Sequence, residues 1–397
     1  MQYKSTPIGE IPVNWEVKSL GELGEFKSGS GFPIDEQGGS NGVPFYKVSD
    51  MNLPENEIFM NISNNYISEE QVLKLKLKPI NKEAIIFAKV GAAIFLERKR
   101  LAKCFLIDNN MMALVPKIPS FYLKNYLDFI RLSKYAQTGA LPAYNASDLK
   151  IIQIPIPPLP EQNKIADILS TWDKAIQQTQ SLIQKLELRN KALAFTLLRG
   201  GQINKIAKKI SLSKFLTFTQ RDIEKPSVNY LALGIRSHGK GIFHKPDSDP
   251  KAISMERLYE VKENDFIVNI TFAWEHAVAI ISKDDEGGLV SHRFPTYVID
   301  QKIVSVEFFR HIILQPFFKQ MLDNISPGGA GRNRVLSKKD LLKLEISVPS
   351  LEEQHSIAET LNTANKELKQ YQEKLKAYQQ EKKGLMQQLL TGKVMTV

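Results

Sequence analysis

Apolar positions recur at alternating steps of four and three residues in two stretches of the chain, 165–197 and 357–389. The first series is Ile165, Leu169, Trp172, Ile176, Thr179, Ile183, Leu186, Asn190, Leu193 and Leu197, and the second is Ile357, Leu361, Ala364, Leu368, Tyr371, Leu375, Tyr378, Lys382, Leu385 and Leu389. A period of about 3.5 residues is typical of a coiled-coil seam. Each series has one strongly polar position, Asn190 or Lys382. We predict two long helices that pair with each other, with the polar positions helping to set the pairing.

Both predicted helices follow the same kind of sequence. Short apolar runs at 151–156 and 344–348 predict strands, and prolines then separate each strand from its helix. Glu161 and Glu353 fall in the first helical turn, where the helix dipole favours an anion. Each segment therefore predicts a strand, a turn and a long helix that spans about 55 Å.

The similarity between the two segments is an internal repeat with an offset of 192 residues. The aligned pairs are Asp148-Leu149 with Asp340-Leu341, Pro157 with Pro349, Glu161-Gln162 with Glu353-Gln354, Ile165-Ala166 with Ile357-Ala358, and Leu197-Leu198-x-Gly200 with Leu389-Leu390-x-Gly392. The alignment needs no gap, so we predict two copies of one architectural unit. The predicted segments are globular domains at 1–157 and 201–349 and helices at 158–200 and 350–397. The globular domains differ in sequence, which suggests one scaffold with two different surfaces.

Composition narrows the function classes. The 397 residues include 53 basic and 43 acidic side chains, a formal charge of +10 that weakly favours a polyanionic partner. A single cysteine excludes a disulfide framework and is expected in a reducing cytoplasm. Six irregularly spaced histidines do not assemble a zinc site, so no metal is expected. No secretory leader or membrane span is apparent, so no membrane partner is expected.

Motifs that resemble catalytic sites are weak. The segment 234–241 approaches a phosphate-binding loop but lacks its final hydroxyl, and we interpret it as a strand followed by a basic turn. Asp247, Glu260 and Lys262 have the residue types of a metal-dependent nuclease, which stays open as an alternative function. The only Pro-Pro pair, at 157–158, lacks the neighbours of an amino-methyltransferase motif. Cys104 lies in an apolar run and is expected to be a buried, inert thiol.

Side chains suited to DNA contacts remain, since Arg and Lys bind phosphates or guanine edges and Asn can pair with adenine. The candidates in the first domain are Lys47, Lys89, Arg98, Arg100, Tyr144 and Asn145, and those in the second are Arg236, His238, Lys240, Trp274, Arg293, Arg332, Asn333 and Arg334. The last three end a glycine-rich loop. A structural coiled-coil protein without DNA binding is a further alternative.

The chain resembles the specificity subunit of type I restriction–modification systems. The similar segments are the opening Ile8-Gly-Glu-Ile-Pro-x-Asn-Trp15 with Leu20-Gly-Glu-Leu23, the segment 43–50, the two Glu-Gln helix entries, and the closing Gln387-Gln-Leu-Leu-Thr-Gly392. The resemblance covers the whole chain. The duplicated Glu-Gln entries make it specific, although Ser350 stands where the first copy has Pro158.

The resemblance implies an α+β fold with two target-recognition domains, separated by two long antiparallel coiled-coil helices. It implies that each domain recognises half of a bipartite, asymmetric site on double-stranded DNA. It also implies two methyltransferase subunits and, in the full complex, two restriction or motor subunits as partners. S-adenosylmethionine, ATP and magnesium would be bound by those partners, so no cofactor and no catalytic residue is expected in this chain.

Overall fold

The computed structural model describes residues 2–137, 141–199, 207–326 and 334–396. The chain folds into two compact units, unit 1 (Met1–Ile183 with Tyr371–Val397) and unit 2 (Gln184–Gln370). Each unit combines sheets with short helices and contains part of both long helices. The predicted α+β class is therefore confirmed. None of the helices in the described ranges has the length and apolar character that a membrane span requires.

Unit 1 is built mainly from antiparallel strands. Its strands are β1 (Tyr3–Thr6), β2 (Gly9–Pro12), β3 (Glu16–Ser19), β4 (Gly24–Ser28), β5 (Val43–Tyr46), β6 (Tyr66–Ile67), β7 (Ala84–Ala88), β8 (Lys99–Ala102), β9 (Leu106–Ile107), β10 (Met111–Pro116) and β11 (Gln153–Ile156). Its helices are α1 (Leu20–Leu23), α2 (Glu69–Lys74), α3 (Ser120–Phe129), α4 (Ala146–Lys150) and the first part of α5 (Leu159–Arg199). A four-stranded sheet has the order β4-β10-β7-β8, a three-stranded sheet has the order β6-β5-β9, and β11 pairs with β3.

Unit 2 repeats this plan. Its strands are β12 (Lys208–Ser211), β13 (Leu216–Thr219), β14 (Asp222–Glu224), β15 (Tyr230–Ile235), β16 (Ile242–Ser248), β17 (Arg257–Glu260), β18 (Phe266–Val268), β19 (Val278–Ile280), β20 (Leu289–Val290), β21 (Thr296–Ile299) and β22 (Glu345–Val348). Its helices are α6 (Val306–Ile313), α7 (Pro316–Asn324), α8 (Lys338–Lys343) and the first part of α9 (Leu351–Leu389). The last part of α5 also belongs to unit 2, and the last part of α9 belongs to unit 1. The four-stranded sheet has the order β13-β21-β18-β19, β22 pairs with β12, and a five-stranded sheet has the order β14-β17-β20-β15-β16.

The two four-stranded sheets have matching strand orders, and the parallel pair β15–β20 corresponds to β5–β9. The predicted repeat therefore extends from the helices into the globular parts, where the sequences are unlike. What differs is the sheet that contains the parallel pair, which has three strands in unit 1 and five in unit 2. The scaffold is duplicated and its outer elements are not.

Central strands of both units are continuous apolar runs because both of their faces are covered. Successive side chains of a strand point to opposite faces. In β7, Ile85 and Phe87 belong to one core cluster, and Ala84 and Ile86 belong to another. In β18, Phe266 and Val268 pack on one side and Ile267 on the other. Each sheet is thus packed on both faces and holds its strand ends in fixed positions.

The two ends of the chain meet in unit 1. Trp15 is fully buried, and its Nε1 donates to a carboxylate oxygen of Glu161 at 3.0 Å, in the first turn of α5. The Tyr3 hydroxyl donates to the carbonyl of Gly392 at 3.2 Å. Gly392 has a positive φ of 70°, and a Cβ there would lie 2.5 Å from the ring of Pro12. Glycine is therefore required at this helix end; its repeat counterpart, at position 200, lies outside the described residues.

In unit 1, the start of α5 packs against the end of α9. Ile165 and Leu169 are fully buried in the same core as Leu389. The rings of Trp172 and Tyr378 meet edge to face, with centroids 5.5 Å apart. An antiparallel pairing follows from these contacts.

The complementary halves of both helices pair in unit 2. Leu198 of α5 shares a core with Ile357 and Leu361 of α9. Among the other predicted seam residues, Leu186 of unit 2 and Ile183 of unit 1 are buried. Leu368 of unit 2, and Ile176 and Leu375 of unit 1, are partly buried. The exposed pair Arg189–Glu367 adds an ion pair at 2.7 Å.

Both polar seam positions have partners, and the two contacts are equivalent in the repeat. Asn190 donates from Nδ2 to the carbonyl of Ala364 at 2.9 Å and to Oδ1 of Asn365 at 3.4 Å. Lys382 forms a 2.7 Å ion pair with Asp173, and both side chains are only 13% exposed. The offset of 192 residues places Asp173 on Asn365 and Asn190 on Lys382. One architectural position therefore holds an amide pair in unit 2 and an ion pair in unit 1.

One prediction about a side chain is wrong. Cys104 is exposed instead of buried. It occupies the turn between β8 and β9 with a positive φ of 55°, and its Sγ lies 3.5 Å from the carbonyl of Asn81. The apolar run that contains it is interrupted by this turn, which hydrophobicity alone does not indicate.

Candidate nucleic-acid interface

In unit 1, loops with polar side chains lie at one end of the four-stranded sheet, where several of its strands begin or end. β4 ends at Ser28 and β7 ends at Ala88, and both ends pair with the first residues of β10. Lys89 follows β7 directly: its N–H donates to the carbonyl of Asn110 at 2.7 Å, and its carbonyl accepts from the N–H of Tyr144 at 2.9 Å. We call this the unit 1 edge. It gathers segments that are far apart in sequence.

Three of the predicted DNA-contacting residues present polar groups there. Lys47 follows β5, and its Nζ donates to Oε1 of Gln37 at 2.8 Å. Burial raises the pKa of the nearby Asp108, while hydrogen bonding and the charge of Lys47 oppose the shift. Asn145 is exposed, and its side chain does not cap α4 although it stands at the N-cap position. Lys47, Lys89 and Asn145 are thus available to a ligand at this edge.

The other three predicted residues of unit 1 face its interior or bond within it. Tyr144 is 2% exposed and packs edge to face on Phe87 at 6.1 Å, and burial raises the pKa of its hydroxyl. Arg100 donates from Nε to the carbonyl of Asn56 at 2.6 Å, and burial lowers the pKa of its guanidinium. Arg98 donates to the side chain of Asn52. These groups stabilise the edge, and the structure gives them intramolecular partners.

The equivalent edge of unit 2 brings together three predicted residues around Thr271. Arg293 donates from Nη1 to Oγ1 of Thr271 at 3.1 Å, and Trp274 donates from Nε1 to the carbonyl of Thr271 at 3.2 Å. The guanidinium of Arg334 lies 5.3 Å from the centre of the Trp274 ring and forms a 2.8 Å ion pair with Asp323. Arg293 is exposed, whereas most donors of Arg334 are engaged within the unit. The predicted Arg332 and Asn333 lie outside the described residues.

The β15–β16 hairpin adds the remaining three predicted residues. Arg236, His238 and Lys240 are exposed on its turn, which confirms the interpretation of this segment as a strand with a basic turn. The N–H of His238 donates to the carbonyl of Glu275 at 2.7 Å, and the Ser237 hydroxyl donates to the Glu275 carboxylate at 2.7 Å. The hairpin turn therefore sits beside Trp274, next to the unit 2 edge.

A buried histidine supports this turn. The carbonyl of His276 accepts from the N–H of Gly239 at 2.9 Å. Its Nε2 lies 2.6 Å from the carbonyl of Ile313, and because a carbonyl can only accept, Nε2 carries the proton. Burial lowers the pKa of His276, so the ring is held neutral. The turn is thereby fixed to the helical part of unit 2.

Sequence reasoning missed a basic cleft in unit 1. Lys27, Lys76, Lys78 and Lys82 line a space of about 550 Å³ beside the edge strand β4. Glu25 is the acidic residue of the lining, and it is ion-paired with Lys27. The signal was present in the sequence, where lysines alternate with apolar residues from 74 to 78 and a further lysine stands at 82. A phosphate-bearing ligand fits the charge of this cleft.

The alternative of a metal-dependent nuclease is not supported. Asp247 lies on β16 and Glu260 on β17, and two strands separate these in the five-stranded sheet. Three strand spacings place them about 14 Å apart, too far for one metal ion. Within the ranges that the structure describes, no cluster of three or more His, Cys, Asp or Glu side chains could hold a metal. What both edges do offer is exposed basic, amide and aromatic groups, the chemistry that contacts phosphates and base edges.

Comparison with known proteins gives one family. The family model described as the type I restriction modification DNA specificity domain matches residues 12–188 and again residues 202–377. The two matches follow the internal repeat and together cover most of the chain.

Individual proteins similar to this chain are also described as type I restriction enzyme specificity subunits. The protein named as the MjaX type I restriction enzyme specificity subunit of Methanocaldococcus jannaschii is 26% identical over 429 residues, covering 99% of this chain and 96% of that protein. The MjaVIII type I specificity subunit of the same organism is 21% identical, covering 97% and 94%. A crystal structure of a type I restriction–modification S subunit from M. genitalium has a TM-score of 0.58 at 15% identity, covering 95% of this chain and 96% of that one. The solved structure supports the fold.

Proposed function

The chain belongs to the type I restriction–modification DNA specificity family, and from this premise we propose that it recognises a bipartite, asymmetric DNA site, one half with each unit. As a specificity subunit it is the DNA-recognition component of its complex and not a catalyst, and it assembles with other subunits. The finer proposal concerns how recognition is divided between the units and what the long helices contribute.

The observation that carries the proposal is a duplicated scaffold with unlike edges. Both units place loops at the equivalent end of a four-stranded sheet. The unit 1 edge presents Lys47, Lys89 and Asn145, whereas the unit 2 edge presents Arg293 and Trp274 beside the hairpin turn. Base recognition depends on which donors and acceptors meet each base edge. Equivalent frames with different side chains therefore support two different half-sites.

The long helices are the natural spacer between the half-sites. Each helix belongs partly to unit 1 and partly to unit 2. We propose that exposed side chains of these helices bind the partner subunits: two methyltransferase subunits that modify adenine and, in the full complex, two motor-nuclease subunits. S-adenosylmethionine, ATP and magnesium would then be bound by those partners.

The test begins with the methylated sequence. The chain is co-expressed with its candidate methyltransferase subunit, and modified adenines are mapped by sequencing the host genome. We expect two unlike half-sites separated by a gap of unspecified bases. A continuous motif without a gap would contradict division between the units, and metal-dependent cleavage by the purified chain alone would revive the nuclease alternative.

Point variants then assign each half-site. Arg293→Ala is expected to relax the specificity at one position of one half-site, or to weaken DNA binding by about 1–3 kcal/mol. Recognition of the other half-site should be unchanged. Lys89→Ala serves as the reciprocal variant in unit 1. If Arg293→Ala altered both half-sites, or if both variants altered the same one, the assignment would be wrong.

The spacer role is tested by length. Four residues are inserted in each helix at the boundaries between the units, after Ile183 and after Gln370. Each insertion adds about 6 Å of helix, the length of one to two base pairs, and a four-residue insertion changes the winding of a coiled coil only locally. We expect a longer gap with both half-sites preserved. An active variant with an unaltered gap would exclude the helices as the spacer.

A further inference from the structure

Large apolar side chains are exposed together on unit 1. Phe95 is 60% exposed, Leu96 56%, Tyr135 45% and Leu141 64%. Phe95 and Leu96 end a 3₁₀ turn (Ala92–Leu96) that packs against the 3₁₀ turn containing Tyr135. Leu141 lies beside Gly91, immediately before the first turn, with its Cδ1 3.8 Å from the position of a Cβ. We call these four residues the apolar tip.

The apolar tip is held rigidly from below. Ile94, between the exposed residues and the core, is 2% exposed. The Glu97 carboxylate accepts from the N–H groups of Leu132 at 3.2 Å and Ser133 at 2.9 Å, and it is ion-paired with the buried Lys99 at 2.6 Å. Burial raises the pKa of Glu97, but the hydrogen bonds from Lys99 and Ser133 and the charge of Lys99 together outweigh it, so the pKa is lowered and the carboxylate stays charged in this clamp. Buried packing and these polar contacts therefore support the two turns that carry the apolar tip.

Basic residues surround the tip. Lys89 and Arg98 lie on either side of the first turn in sequence, Arg131 immediately precedes the second turn, and Lys134 lies within it. Glu97 is the only acidic residue in the described segments 89–98, 131–137 and 141–145, and it is already neutralised by Lys99. The patch therefore combines an apolar centre with a positive rim. A protein partner would need an acidic rim of its own, whereas the phosphates of a duplex supply one on either side of apolar base surfaces.

We infer that the apolar tip contacts DNA bases, with Phe95 and Leu96 inside the half-site of unit 1 and Arg131 and Lys134 on the flanking phosphates. The inference rests on the proposed function and adds residues that the sequence did not single out. Lys89 connects the tip to the unit 1 edge, because the 3₁₀ turn that carries Phe95 and Leu96 begins three residues after it. Two forms of apolar contact with bases are available: packing on a thymine methyl group, or insertion between base pairs with a kink in the duplex.

The experiment uses the full chain and a fluorescent duplex that carries the mapped methylation motif, with a second duplex in which the unit 1 half-site is scrambled. We expect Phe95→Ala/Leu96→Ala to weaken binding of the motif duplex at least about tenfold while binding of the scrambled duplex changes by less than about twofold. Arg131→Ala/Lys134→Ala should weaken both duplexes alike and reduce the salt dependence. Leu73→Ala and Phe195→Ala, at residues 78% and 61% exposed elsewhere, are matched controls and should bind like the wild type.

Further arms separate the two forms of contact. Thymine replaced by uracil within the half-site should reproduce the loss if a methyl group is contacted. If the side chains insert between base pairs, the distance between labels at the two ends of a duplex should decrease when wild type binds, but not when the Phe95→Ala/Leu96→Ala variant binds. Unchanged affinity of that variant for both duplexes, together with loss of methyltransferase co-elution, would overturn the inference and assign the tip to a protein partner. Failure of the wild type to prefer the motif duplex would instead overturn the proposed function.

Discussion

The ion pair between Asp173 and Lys382 offers the sharpest test of how the helices pair. Its atoms lie 2.7 Å apart, and each side chain is 13% exposed. The second carboxylate oxygen of Asp173 has no hydrogen-bond partner in the described residues. Replacing Lys382 with Met therefore leaves a nearly buried charge without compensation. We expect the free energy of unfolding to fall by about 3 kcal/mol, the lower end of the range for breaking a buried pair, because some water reaches the site.

The repeat supplies a rescue. The equivalent position in unit 2 holds Asn190 and Asn365, whose side chains bond at 3.4 Å while Asn190 also donates to a carbonyl at 2.9 Å. The double variant Asp173→Asn/Lys382→Asn copies this pair into unit 1. Since a neutral hydrogen bond contributes about 1 kcal/mol net and no charge is left buried, we expect a stability within about 1 kcal/mol of wild type.

Urea unfolding followed by circular dichroism measures the variants, and hydrogen exchange of the peptides that contain Asp173 and Lys382 localises the effect. Glu367→Ala is the matched control, because the Arg189–Glu367 pair has side chains 47% and 43% exposed and should contribute less than about 1 kcal/mol. The reasoning fails if Lys382→Met is as stable as wild type, or if the double variant loses as much stability as the single one.

Three more predictions follow from buried groups. Burial lowers the pKa values of His276 and His311, so as pH falls below about 6.5 the unfolded chain binds protons more readily than the folded chain. The free energy of unfolding of unit 2, measured in urea, should therefore decrease in that pH range, and His276→Gln/His311→Gln should reduce this pH dependence. Gly392→Ala should lower the thermal midpoint, because the new Cβ would lie 2.5 Å from Pro12 at a positive φ, whereas an unchanged midpoint would contradict the fit. Leu361→Asp, at a residue 3% exposed, should cost several kcal/mol and abolish complex formation in size-exclusion chromatography; normal assembly would argue against the seam.

Local pattern determined the repeating elements of this protein. A seam with a period near 3.5 residues depends only on neighbours along one helix, so the two long helices could be located from sequence, and the strands at Gln153–Ile156 and Glu345–Val348 fell within the predicted runs. The offset of 192 residues required nothing beyond the order of amino acids. These features are encoded within short stretches, where spacing and structure are directly related.

Only the tertiary structure decided which candidate side chains face outward. Tyr144 and Arg100 have residue types suited to DNA, yet their surroundings are set by segments up to 57 positions away, including Phe87 and Asn56. The same holds for Phe95, whose exposure follows from how two turns pack and not from its apolar neighbours. Sheet pairing brings distant segments together at one edge, so orientation there is a property of non-local contacts. The periodicity of a helix carries that information within itself, and a loop between strands does not.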